Sequence, residues 1–167
     1  IQALTSYEDP NDRLVGVVLL FSEREADSPK LYIGASRRLT PADYPQTFPA
    51  SKGMLQKVID EGDPALTQNI AQDPELGRLI AIQKSKSAYC IPLRQGIDTY
   101  GVLLFAHPRE NFFNSANREV LNIIAKQVGI AMQNARLYQE LEQEKERMME
   151  VQEDARKKLA RDLHDGP

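Results

Sequence analysis

Between Phe113 and Gly166 the chain has no proline and no turn-forming cluster. With Asn114 or Ser115 as N-cap, this stretch predicts one helix of about 50 residues, roughly 75 Å long at 1.5 Å per residue. In a chain of 167 residues, that leaves the first two thirds for a globular domain. The first half of the helix carries a broad apolar stripe of Val120, Leu121, Ile124, Val128, Ala131, Met132 and Ala135, suited to packing on a core. In the second half Leu137, Leu141, Met148, Val151 and Ala155 follow alternating steps of four and three, with Glu144 in the vacant slot. So narrow a seam cannot bury itself, and the helix is expected to pair as a coiled coil. A solvated spacer laced with i,i+4 ion pairs is the plainer alternative.

Hydrophobic residues make up 41% of the chain, enough for a core and too many for wholesale disorder. Lys and Arg total 21 against 24 Asp and Glu, a net charge of −3, which gives no general attraction to nucleic acid or anionic lipid. One cysteine excludes an internal disulfide, a paired-thiol redox motif and a cysteine-based zinc site. Two histidines, at 107 and 164, do not suggest a multi-histidine metal site. The longest apolar runs, such as Leu14–Phe21, are far short of a membrane span, and no secretory signal is visible. These features predict a reducing, cytoplasmic setting. The chain opens without Met and stops at Gly166-Pro167, so it is expected to be part of a longer protein. Whether a membrane segment precedes Ile1 is left open.

The first two thirds read as mixed strand and helix. Leu14–Ser22 is a strand expected to be buried on both faces, and Leu31–Ser36 is its partner after a hairpin loop containing Asp27, Ser28 and Pro29. Pro41, Pro45 and Pro49 predict an irregular loop. Ser51 is the expected N-cap of a helix with Met54, Leu55, Val58 and Ile59 inward, closed by Gly62. Ala65–Ile70 is a weak strand. Asp73-Pro74 opens a short helix with Leu76, Leu79 and Ile80 inward. Ser87–Leu93 and Thr99–His107 form the strongest strand pair, joined by a five-residue loop, Arg94–Asp98. Pro92 cannot donate to a ladder, so it predicts an edge or a bulge.

This order of elements, and above all SAYCIPL, GVLLF and AKQVGIAMQNARLYQEL across Ser87–Leu141, resembles a GAF domain. The resemblance implies an α+β, PAS-related fold, with an antiparallel sheet flanked by helices on one side and a small-molecule pocket on the other. It also implies parallel dimers through the long terminal helix. The run Arg156-Lys157-Lys158-Leu159-Ala160-Arg161-Asp162-Leu163-His164-Asp165-Gly166-Pro167 is similar to the phosphoacceptor box of the nitrate-sensor class of histidine kinases. That similarity implies His164 as phosphoacceptor and Asp165 as the acid that orients it and takes its proton. It further implies ATP and Mg bound by an ATP-binding domain of the parent chain, a response regulator as acceptor, and no cofactor in this stretch. The expected divisions are a sensor domain over 1–135, a coiled-coil linker over 136–155, and the start of the phosphoacceptor helix over 156–167.

The chemistry suits that pairing. A neutral imidazole attacks phosphorus with one nitrogen while the other gives up a proton to a carboxylate. Seam residues Leu159 and Leu163 leave His164 on the outer side of the helix. An ordinary exposed His-Asp pair is the bland alternative, and a GAF-type regulator of another kind would follow from it. Residues 140–154 hold seven acids and two bases, and the basic cluster after them is too short to argue for nucleic acid. No Gly-rich phosphate loop is present, so the stretch alone should be catalytically silent.

The residues do not name a ligand. Cyclic-nucleotide-binding GAF domains carry Asn-Lys, Phe and a later Asp-Glu; here Arg109–Glu119 lacks Asn-Lys and has Asn117-Arg118 in the later position. Cys90 has no neighbouring His to suggest a bilin attachment and reads as a buried apolar thiol. One cysteine is too few for sulfoxide reduction by thiol exchange. His107 as an axial haem ligand is set against an exposed loop histidine. Tyr32, Tyr89 and Tyr100 could line a pocket but more simply pack. An unknown small ligand and a ligand-free dimerisation or protein-interaction module therefore both remain open.

Overall fold

The computed structural model describes residues 14–22 and 29–165. Most of the first hairpin loop, including Asp27 and Ser28, lies outside the described residues, as do Gly166 and Pro167. The chain divides into two compact units, one up to Gly129 and one from Ile130 onward.

The first unit is built on a six-stranded antiparallel sheet in the order β3-β2-β1-β6-β5-β4. Its strands are β1 (Val15–Phe21), β2 (Leu31–Arg37), β3 (Thr47–Phe48), β4 (Ala65–Thr67), β5 (Ser87–Gln95) and β6 (Asp98–His107). The two-residue alternation of strands explains its two faces. Val15, Val17 and Leu19 stand opposite Ala106, Leu104 and Val102, and Ala88 and Cys90 stand opposite Ala106 and Leu104. Together they form one apolar face. On that face sits helix α1 (Gly53–Glu61), through Met54, Leu55 and Val58, along with Ile70, Leu76, Leu79 and Ile82. The other face presents Tyr89, Ile91, Leu93, Leu103 and Phe105, all buried. Both faces of β1 are covered over Val15–Val17, as expected, and the burial relaxes toward Phe21.

Several expectations are corrected. The proline loop is irregular except at Thr47–Phe48, which pairs with Tyr32 and Leu31 at the sheet edge. Beyond Asp73 the chain forms two 3-10 turns, Leu76–Arg78 and Ile80–Ile82, with Leu76 and Leu79 buried but Ile80 53% exposed. β5 and β6 extend further than the sequence suggests and meet in a two-residue turn, Gly96-Ile97, because Gln95 pairs with Asp98. Pro92 lies beyond the reach of β4, whose pairing with β5 ends at Cys90. It is also one residue from a bulge at Leu93/Arg94. Gly62 closes α1 at φ 72°, the left-handed conformation a side chain resists.

Helix α2 (Ser115–Asp165) has 51 residues. Asn114 caps it, its Oδ1 accepting from the Asn117 N–H at 2.9 Å. Within the first unit α2 buries Leu121, Ala125 and Gly129, a line of four-residue steps. Val120 and Ile123, the former expected in the stripe, face outward instead.

In the second unit, from Ile130, the helix leaves its apolar residues in solvent. Leu137 is 55% exposed, Leu141 66%, Met148 57% and Val151 63%. No helix of the described residues is long and apolar enough to cross a membrane.

Candidate functional site

The polar groups buried in the sheet domain are spent on holding it together. Asp43 is fully buried. Its two oxygens accept from the N–H groups of Ile80 (2.7 Å), Ala81 (3.1 Å) and Thr40 (3.3 Å), and from the Thr40 hydroxyl (2.9 Å). Burial works to raise its carboxyl, but these donors outweigh it and hold the group below its usual range.

Glu75 reaches back to the entry of α1, accepting from Ala50 N–H at 2.7 Å and Lys52 N–H at 2.9 Å. It thereby fixes Ala50 at a φ of 57°, a conformation that needs such support. Asp73 Oδ1 caps its own turn, accepting from the N–H groups of Glu75 and Leu76, while Oδ2 accepts from Met54 N–H at 2.8 Å. So α1 is not capped by Ser51: its flanking residue Lys52 makes no side-chain cap, and the anions at its positive end come from about twenty residues downstream. Sequence reading missed Asp43 and Glu75 because their partners are remote in the chain.

The residues weighed as ligand contacts do not converge. Cys90 is fully buried, and its burial, with Asp73 nearby, pushes the thiol far up. His107 is buried rather than exposed. Its ring stacks on Phe112 at 3.7 Å and its Nδ1 accepts the Arg109 N–H at 3.0 Å, so it closes the turn between β6 and α2. Tyr32 on β2 is separated from Tyr89 on β5 by two strands. Tyr89 stacks on Phe113 and donates to Asn122 Oδ1 at 2.7 Å. Tyr100 lies partly buried on β6, away from both.

An open groove of about 510 Å³ between β5 and the first turns of α2 is lined by Tyr89, Ser115, Arg118, Glu119, Asn122, Ile123 and Lys126. The Arg118 Nε there is buried without a hydrogen-bond partner. The resemblance implies helices on one side of the sheet and a pocket on the other; instead α1 and the start of α2 cover opposite faces, and this groove lies on the α2 side. Among the described residues no group of three or more His, Cys, Asp or Glu side chains is placed to hold a metal ion.

His164 and Asp165 are the last two residues of the described helix, both exposed. At 3.6 residues per turn, His164 lies about 140° around the helix from Leu159. Its neighbours on the same face are Ala160 and Arg161, one turn earlier, with Lys157 a turn beyond. Arg156 is held away by Glu153 in a two-point pair at 2.8 and 3.2 Å. The arrangement is an accessible imidazole flanked by cations on one side and a carboxylate on the other.

The profile of the GAF domain family matches residues 6–133. A sensor-like histidine kinase of Chloroflexus aurantiacus is 30% identical over 152 residues, which is 91% of this chain and 24% of that protein. The match therefore runs past residue 133, further along the long helix than the family profile does. A formate hydrogenlyase transcriptional activator of Salmonella typhimurium is 42% identical over 100 residues, covering 60% of this chain and 14% of the activator. This chain thus spans a quarter or less of the curated relatives it matches. Among solved structures, the GAF domain of a two-component sensor histidine kinase from Bacillus halodurans superposes with a TM-score of 0.63 at 17% identity. That match covers 82% of this chain and 90% of the other.

Proposed function

Because the chain belongs to the GAF family, we propose that it is the sensory and phosphoacceptor stem of a two-component sensor histidine kinase, with His164 as the phosphorylated residue. The observation that carries this reading is the placement of an exposed His-Asp pair beside Lys157 and Arg161 on a helix that shares its chain with the GAF domain. The similarity to a sensor-like kinase across 91% of the chain supports it. The sensor portion runs to about residue 135, the linker over 136–155, and the phosphoacceptor segment from 156, in a cytoplasmic homodimer paired through α2.

In the reaction, one imidazole nitrogen of His164 forms a bond to the γ-phosphorus of ATP, and the bond to the β-phosphate oxygen breaks to release ADP. The proton on the other nitrogen passes to the Asp165 carboxylate. Arg161 and Lys157 attract the incoming phosphates. ATP and Mg are held by a separate ATP-binding domain of the parent chain, and a response regulator takes the phosphoryl group from His164.

In a parent protein that includes its ATP-binding domain, His164→Gln abolishes autophosphorylation and Asp165→Asn slows it about 10²-fold. Undiminished labelling of the His164→Gln protein would refute the assignment.

A second reading concerns the ligand: the sheet domain acts as a dimerisation and interaction module that binds nothing small. The packing of the α1 face favours it. Phe48, Leu55, Val58, Ile70, Leu76, Leu79 and Ile82 are fully buried there, and the carboxylates of Asp43, Asp73 and Glu75 are engaged by backbone donors. Native and denatured masses of the purified chain separate the readings, since a bound small molecule adds mass only to the native species.

A further inference from the structure

Taking the parallel pairing of two copies through α2 as given, we propose that the paired seam runs from Ile130 to Ala155 and that Asn134 sets its register. The proposal rests on the dimeric stem described above and adds its geometry. Ile130, Asn134, Leu137, Leu141, Glu144, Met148, Val151 and Ala155 follow unbroken steps of four and three. Asn134, Leu141, Met148 and Ala155 occupy the a positions, and Ile130, Leu137, Glu144 and Val151 the d positions. The seam thus begins upstream of the linker and includes an amide that apolar patterning alone passes over.

Three observations support this register. First, a groove of about 330 Å³ is lined by Glu144, Arg147, Met148, Val151 and Gln152. These are successive d, g, a, d and e positions. A parallel coiled coil frames the partner's a residue with the first four of these, and in register that residue is the second copy's Met148.

Second, Asn134 is exposed, and its amide offers both donors and an acceptor. Only in-register pairing puts it against another Asn134; a shifted pairing buries it against an aliphatic side chain and leaves the amide unpaired. Third, in the parallel arrangement Glu140 at g faces Lys145 at e of the other copy, opposite in charge.

Glu144 does not oppose the pairing, because its carboxylate already carries the Arg147 guanidinium at 2.8 Å. After Ala155 the register lapses. The next seam positions fall on Lys158, Asp162 and Asp165, while the apolar residues Leu159 and Leu163 stand one residue later. The His164 segment therefore pairs differently from the linker.

The test is disulfide trapping in the 167-residue chain, where the native Cys90 is buried. Val151→Cys, at a d position, should cross-link to dimer under mild oxidation, and Glu146→Cys, on the far face, should not. Sedimentation velocity should show one dimeric species for the unmodified chain and a mixture of dimer and larger species for Asn134→Leu. A dimer in which Val151→Cys fails to cross-link overturns the register while leaving the dimeric stem intact. Cross-linking with an Asn134→Leu chain that stays purely dimeric overturns the role of Asn134. A monomeric chain overturns the register and the dimeric stem together.

Discussion

Leu19, Leu55, Leu76 and Leu104 of the sheet domain are fully buried, whereas Leu137, Leu141, Leu159 and Leu163 of the helical unit each expose more than half their surface. The two regions also treat polar groups differently. Asp43, Asp73 and Glu75 are bonded to backbone N–H groups within the same domain. In the helical unit the ion pairs Arg136–Glu140, Arg147–Glu144 and Arg156–Glu153 are exposed and local. A region that closes its own core needs nothing further to fold. A region that leaves a regular apolar seam open takes its stability from what covers it. The helix is therefore the part of this chain whose state should depend on assembly, as the proposed role of His164 requires.

The largest effects should come from breaking the sheet domain's own closure. A Cβ at Gly101 would lie 1.9 Å from the Leu19 carbonyl oxygen, so Gly101→Ala should lower unfolding free energy by about 3 kcal/mol in chemical denaturation. Asp43→Asn should cost about as much, since an amide cannot accept from all the donors that now converge there. The same substitution tests the pH dependence. A carboxyl held below its ordinary value stabilises the fold above that value and loses its contribution as pH falls through the lower folded one. The unmodified chain should therefore lose stability progressively below about pH 4, and Asp43→Asn should lack that part of the acid limb.

An intermediate effect should separate the two regions. Leu141→Ala should leave thermal unfolding of the sheet domain unchanged within about 0.5 kcal/mol. It should weaken self-association by about 2 kcal/mol, or roughly 30-fold in Kd, read by dilution in sedimentation. The smallest effect is Arg147→Gln. Its ion pair with Glu144 is exposed and spans one turn, so helix content by circular dichroism should change by no more than about 0.5 kcal/mol of helix stability.

What the sequence disclosed follows the range of the forces involved. Strands with two-residue alternation, the Gly62 cap and the Asn114 cap are set by neighbours in the chain and were readable. So was the constraint at Pro92, because a missing N–H is a local fact. The capping of α1 was not, because Asp73 and Glu75 act from about twenty residues away and nothing near Ser51 signals them. His107 shows the same limit: a His-Pro pair at a strand end suggests an exposed turn, yet Phe112, five residues on, folds back to cover the ring. In α2 the expected stripe was right at Leu121, which is buried, and at Ile124 and Val128, which are half-buried, but wrong at Val120, since periodicity alone does not decide which line of the helix meets the sheet. Ala125, which the stripe omitted, is buried beside Leu121, and Val120 is left outside. For the proposed site, the resemblance of Arg156–Pro167 to a phosphoacceptor box pointed to His164 and Asp165, whereas nothing in the sheet domain pointed to a ligand, because no residue there combines an unusual side chain with an accessible position.

The most direct test of the account is the mass of the 167-residue chain by sedimentation equilibrium at micromolar concentration, with a second run on Leu141→Ala. The account predicts twice the chain mass for the unmodified protein and dissociation at correspondingly higher concentration for the variant. A single-chain mass for the unmodified protein, with Leu137, Leu141, Met148 and Val151 left in solvent, would contradict it.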